Sequence, residues 1–195
     1  MLKRWWFAVK YGFAERKVLN RFLVNPAYQI QSLTEITPER LDQAAVAILI
    51  LDFDGVLANH DAKALLPEVE KWLRALCNAI GEQRIAVLTN KPNPSRLQYF
   101  ATHFPSIHVV RGVRKKPYPD GILEVANYRG LPPHRVLLVD DRLLTGMLAT
   151  RLACSQGWYF TKPVTNYWKH PFKEIFFTCL RVLERFAFRW AGSPS

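Results

Sequence analysis

Asp52 and Asp54 stand two positions apart at the end of the apolar run Ile48-Leu49-Ile50-Leu51, with Gly55 next in the chain. In an extended segment residues i and i+2 point the same way. The two carboxylates can therefore face one small space where a buried strand emerges. Acids that close repel unless a cation or a shared proton relieves them. A divalent metal comes first to mind, and phosphate chemistry second. The competing reading is an ordinary turn, since Asp and Gly commonly follow strands.

Two further polar clusters follow apolar runs: Thr89-Asn90 after Ile85–Leu88, and Asp140-Asp141 after Val136–Val139. An ionised Asp is a nucleophile that can accept a phosphoryl group as an acyl phosphate. Nucleophile and phosphate are both anionic, so Mg²⁺ is needed to bring them together. That ion takes oxygen ligands, usually one or two carboxylates with phosphate oxygens and water. Asp52 with Asp140 or Asp141 supplies such a set. Asp54 would protonate the leaving alkoxide and then activate water. The Thr89 hydroxyl, the Asn90 amide and nearby backbone N–H groups would hold the transferring oxygens. A lysine from Lys115-Lys116-Pro117 would balance the charge.

Strands alternating with helices position these groups. The patterning predicts strands at 46–51, 85–88, 107–110, 136–139 and near 158–160. It predicts helices at 2–24, from Pro38, at 67–80, 94–103, 119–129, 143–152 and 172–190. Thr37-Pro38-Glu39 reads as a helix start, with Thr37 as cap. Such alternation implies an α/β fold with a doubly wound parallel sheet. Ligands then sit beyond the carboxyl ends of the strands, where all three polar clusters lie.

The ordered set Asp52-Phe53-Asp54-Gly55-Val56-Leu57, Leu88-Thr89-Asn90, Lys115-Lys116-Pro117 and Val136-Leu137-Leu138-Val139-Asp140-Asp141 resembles the four motifs of the haloacid dehalogenase-like phosphatases. The resemblance covers about residues 46–160. It implies Asp52 as nucleophile, Asp54 as acid and base, Thr89 as phosphate ligand and Lys116 as the stabilising lysine. It also implies Mg²⁺ on Asp52, the backbone carbonyl of Asp54, and Asp141 or Asp140, with Asp141 favoured. Pro26, Ile36 to Leu41, the stretch from Asp140 to Thr150, and Arg181 to Arg185 resemble the phosphatidylglycerophosphate phosphatase branch. The chain departs from that branch twice. Asp54-Gly55-Val56-Leu57 replaces the usual DNTL. In the fourth motif, usually GDQxxTD, Asp140 stands at the glycine and Gly146 at the second aspartate, so Asp140 is a candidate to replace the lost carboxylate. Neither gap between motifs is long enough for a cap domain of the kind that encloses small substrates in this superfamily. An open site favours a phosphate on something large or surface-bound.

The net charge of +11 is concentrated at the ends. Residues 1–24 carry six Lys/Arg and one Glu, residues 162–195 six and two, and residues 25–161 fifteen against thirteen acids. This divides the chain into a basic amphipathic helix at 1–24, a phosphatase domain at 25–161 and a basic aromatic tail at 162–195. Basic ends suit an anionic surface, and Trp5 and Trp6 beside Lys3 and Arg4 suit an interfacial helix. Packing of that helix on the domain is the alternative. No run reaches the roughly 18 apolar residues of a membrane span, and no secretory signal is expected. The odd, unpaired Cys77, Cys154 and Cys179 fit a reducing compartment. The expected protein is therefore cytoplasmic and peripheral on the inner membrane surface, hydrolysing a lipid phosphate monoester such as phosphatidylglycerophosphate. The rivals are a soluble or nucleic-acid phosphate, for which there is no strong case, and a binding protein that no longer turns over. Arg111 or Arg114 could contact a headgroup or simply be solvated. The tail aromatics read as packing or interface, and the five histidines receive no role.

Overall fold

The computed structural model describes residues 2–168 and 171–190. Its centre is a six-stranded, all-parallel sheet in the order β1-β6-β5-β2-β3-β4. The strands are β1 (Gln29–Ile30), β2 (Ile48–Leu51), β3 (Ile85–Val87), β4 (His108–Val109), β5 (Val136–Asp140) and β6 (Gln156–Phe160). The helices are α1 (Leu2–Ala14), α2 (Arg16–Val24), α3 (Pro38–Gln43), α4 (Pro67–Ile80), α5 (Pro94–His103), α6 (Asp120–Tyr128), α7 (Leu148–Ala153) and α8 (Pro171–Trp190).

Strand alternation divides the core into two layers. Leu49, Leu51, Val87, Leu137 and Val139 pack with Val69 and Leu73 of α4 and Phe100 of α5. Ile48, Ile50, Ala86 and Leu138 point the other way, on to Ile122 and Val125 of α6 and Ala149 and Ala153 of α7. Each large aliphatic chain removed from water contributes about 2 kcal/mol. Burial on both faces explains why these strands read as continuous apolar runs. A third cluster joins Leu19, Phe22 and Leu23 of α2 to Met147, Leu148, Tyr159 and Phe188 of α8.

Local chemistry sets the boundaries. Thr37 caps α3 by accepting from the Arg40 N–H at 3.3 Å, and Asn93 caps α5 by accepting from the Arg96 N–H at 2.9 Å. Both helices have proline in the first turn, where a missing N–H costs nothing.

Three elements differ from the sequence reading. The 2–24 helix is two helices that break at Glu15, whose carboxylate pairs with Arg151 at 2.8 Å. The predicted 143–152 helix opens with a π-turn at Leu143–Met147 before α7 begins. The two-residue β1, too short for any alternation to show, adds a sixth strand beside β6.

Candidate active site

The sheet register fixes where the chemistry falls. β2 lies between β3 and β5, with Leu51 level with Val87 and Val139. The residues that follow these three strands therefore emerge side by side. The Asp52 N–H donates to the Val139 carbonyl at 3.0 Å, which carries the β2–β5 ladder into the site.

Asp52, Asp140 and Asp141 each offer a carboxylate oxygen within 4.8 Å of the others, and all three are buried. Lys116 lies between two of them. Its Nζ is 2.9 Å from Asp52 Oδ1 and also pairs with Asp140 Oδ2. Asn90 sets the height of that lysine: its Oδ1 accepts the Lys116 N–H at 2.8 Å, and its Nδ2 donates to the Lys116 carbonyl at 3.4 Å. The Asn90 amide, read from the sequence as a holder of phosphate oxygens, is placed by these contacts against the Lys116 backbone.

The electrostatics follow from crowding. Burial pushes the Asp52 carboxyl well above the usual carboxylate range, Lys116 draws it down, and Asp140, Asp54 and Asp141 push it further up. Burial likewise pushes Asp141 up to about 6, with Asp140 adding to the shift and Arg181 and Arg142 opposing it. Burial disfavours the Lys116 ammonium, but Asp140 and Asp52 outweigh it and hold the lysine charged. A hard divalent cation would relieve this acidic crowding, and an all-oxygen donor set is what Mg²⁺ takes. The residues present fit that ion.

Two glycines leave room for the cluster. Gly55 has φ +91°, and a Cβ there would come within 2.6 Å of Asp141 Oδ2. A Cβ on Gly146 would fall 2.1 Å from Asp140 Cγ. The Asp140 carboxylate therefore fills the space that a side chain at 146 would enter. This gives the paired departure in the fourth motif a steric meaning: an acid at 140 is compatible with no side chain at 146.

Asp54 is not one of the three clustered acids; its partner is Arg96. Arg96 grips it with both Nη atoms, at 2.9 and 2.6 Å. The same guanidinium donates to Thr89 Oγ1 at 3.3 Å and to the Ala62 carbonyl at 2.9 Å, and lies 4.0 Å from the centre of the Phe53 ring. The Thr89 hydroxyl in turn donates to Asp54 Oδ2 at 3.5 Å. Arg96 is only 1% exposed, so it is part of the core of the site.

Sequence reasoning missed Arg96, Arg181 and His60. Arg181, on α8, reaches Asp141 Oδ2 with its Nη1 at 2.6 Å. His60 lies against Glu174 of α8 at 3.3 Å and stacks on Phe177. Burial lowers the His60 pKa, against the pull of Glu174 and Asp54. The placement of Arg181 within the branch-like stretch 181–185 was the one available signal. Arg96 and His60 had none, because their partners are distant in sequence. Arg114 pairs with Asp120 at 2.7 Å, while Arg111 is exposed. No domain is inserted between the motifs, but α8 packs its polar side on the site.

The profile of a family described as mitochondrial PGP phosphatase matches residues 13–165. No curated protein matches the chain. Among solved structures, an uncharacterised protein from Corynebacterium glutamicum is 22% identical with a TM-score of 0.47, over 70% of this chain and 96% of its own. A hypothetical protein from Xanthomonas campestris is 18% identical with a TM-score of 0.49, over 83% and 93%. A HAD family hydrolase from Deinococcus radiodurans, solved with bound phosphate and sodium, is 18% identical with a TM-score of 0.39, over 60% and 81%.

Proposed function

The chain belongs to the mitochondrial PGP phosphatase family, within the haloacid dehalogenase-like phosphatases, and we propose that it hydrolyses a lipid phosphate monoester at a membrane surface through a phosphorylated Asp52. The observation that carries this reading is Lys116 held between Asp52 and Asp140 in a buried cluster completed by Asp141. A lysine there neutralises an attacking carboxylate and a transferring phosphoryl group together.

In the proposed reaction an Asp52 oxygen attacks phosphorus, the ester P–O bond breaks, and the leaving alkoxide takes a proton from Asp54. Asp54 then takes a proton from water, whose oxygen attacks the acyl phosphate. The bond from phosphorus to the Asp52 oxygen breaks, releasing inorganic phosphate and restoring the carboxylate. Arg96 is compatible with both roles of Asp54. A protonated Asp54 keeps an acceptor oxygen for the guanidinium while its O–H turns to the leaving oxygen. Thr89 and neighbouring backbone N–H groups would hold the transferring oxygens, and Lys116 the attacking one. Asp52, the Asp54 carbonyl, Asp141 and Asp140 are the residues that would hold Mg²⁺. When bound, the ion supplies charge neutralisation at the phosphoryl oxygens.

The basic ends support a membrane substrate. Trp5, Trp6 and Phe13 of α1 are exposed beside the exposed Lys3 and Lys10. Among the described residues no helix is long and apolar enough to cross a membrane. A peripheral position on the inner membrane surface follows from this reading. The test is a panel of phosphatidylglycerophosphate, sugar phosphates and nucleotides with added Mg²⁺. Preference for the lipid supports the reading, and preference for a soluble phosphate overturns the lipid assignment.

A further inference from the structure

α8 is inside out. Its buried charged residues face the domain: Glu174 is 0% exposed, Arg181 3% and Glu184 5%. Phe172, Ile175, Phe176, Val182 and Leu183 of the same helix are exposed, Phe172 at 87%. A surface helix of a globular protein normally shows the opposite arrangement.

The inward charges land on the site and its rim. Glu174 accepts the His60 N–H at 3.3 Å, and the neighbouring Lys173 pairs with Asp61. Arg181 holds Asp141. Glu184 accepts from Arg142 Nε and from the Leu143 N–H, both at 2.9 Å. Toward its start α8 adds the stack of Phe177 on His60, and at its far end it is anchored by apolar packing. Phe188 is buried in the α2 cluster, and its carbonyl accepts from the Asn20 side chain at 2.9 Å. Arg181 covers Asp141, which is 2% exposed, and the neighbouring Asp52 is 7% exposed.

We propose that α8 is a lid whose outward face is the docking surface for an anionic lipid bilayer, and that docking lifts Arg181 from Asp141. The physical reason is the helix's polarity. Lifting the helix as far as Glu184 exposes charges that water solvates well, while the apolar outer face passes into lipid. Phe188 serves as the hinge. An anionic surface is favoured by charge. α1 meets α8 where the Cβ position of Gly12 lies 3.4 Å from the Phe188 ring, and both helices carry exposed cations, Lys3 and Lys10 on α1 and Arg189 on α8. The proposal rests on the phosphatase reading for its consequence, which is that the metal carboxylate becomes free only at the membrane.

The test measures vesicle co-sedimentation and Mn²⁺ affinity by electron paramagnetic resonance, on full-length protein, with vesicles of phosphatidylcholine alone or with phosphatidylglycerol. Wild type should sediment only with phosphatidylglycerol, and its Mn²⁺ affinity should then rise about fivefold or more. Arg181→Met should show the higher affinity without vesicles and gain nothing from them. Glu174→Gln, which loosens the other latch, should shift affinity the same way by less. Phe176→Ser/Leu183→Ser should stay in the supernatant with the low affinity. Sedimentation with unchanged Mn²⁺ affinity would overturn the lid, and no sedimentation would overturn the docking surface. Neither readout involves turnover, so a failed phosphatase reading would show separately, as an absence of aryl phosphate hydrolysis by wild type.

Discussion

Gly146→Ala tests whether the Asp140 carboxylate owes its place to a missing side chain. The added Cβ would meet Asp140 Cγ at 2.1 Å, Cβ at 2.2 Å and Oδ2 at 2.4 Å, all too close to persist. Asp140 cannot yield freely. It is fully buried, pairs with Lys116, and accepts the Arg142 N–H at 2.9 Å. Overpacking of this kind costs about 1–3 kcal/mol. Pulling one acid from a buried lysine approaches the roughly 3–5 kcal/mol of a broken buried pair, less whatever Asp52 retains. Alanine in a helical backbone recovers at most about 1 kcal/mol over glycine. The net expectation is a loss of about 2–4 kcal/mol by urea denaturation. Asp140→Gly makes room for the new methyl, so the double variant should be more stable than the sum of the singles by about 1–3 kcal/mol. Asp140→Gly/Gly146→Asp should return an acid to the same space and recover metal binding that Asp140→Gly loses. A Gly146→Ala protein within about 0.5 kcal/mol of wild type, or an additive cycle, would refute the reasoning.

Other outcomes follow from the same contacts. Arg96→Lys keeps the charge but cannot grip both Asp54 oxygens, so we expect about 1–3 kcal/mol lower stability and a fall in kcat larger than any rise in KM; unchanged kcat would separate Arg96 from the chemistry. The Lys173 hydrogen bond, with help from Lys91, holds the Asp61 carboxyl down at about 2. A depressed acid stabilises the fold above its usual pKa of about 4 and loses that stabilisation as pH falls through about 2. With both lysines well exposed, Asp61→Asn should cost only about 0.5–1 kcal/mol at pH 7, and that gap should close on acidification between pH 4 and 2. A gap that does not change with pH would show that the Asp61 pairs contribute nothing.

The parts of the site carried by strand ends could be read from the sequence because apolar runs and the polar residues after them are local features. Asp52 and Thr89 follow β2 and β3, and Asp140 ends β5; the pairing of these strands places them together. Helices marked by caps and prolines, such as α4 and α5, fall where their patterns predict. What escaped depends on contacts between distant segments. Arg96 meets Asp54 across 42 residues and Arg181 meets Asp141 across 40. No periodicity encodes such partners. The break at Glu15 has no proline or side-chain cap to announce it. The aromatic residues of the tail could be read as packing or interface, but not the side they face, because the same composition serves a helix turned either way. Only the landing points of Glu174, Arg181 and Glu184 show that the charged side faces in.

The central claim is that Asp52 is the nucleophile. The direct measurement is Mg²⁺-dependent aryl phosphate hydrolysis by wild type and Asp52→Asn, with thermal unfolding of both. Asp52 is a buried acid pushed well above its usual pKa, chiefly by burial, so the neutral amide should leave the metal-free fold at least as stable near neutral pH. Turnover should fall at least about a thousandfold. An Asp52→Asn protein that keeps its activity would contradict the account.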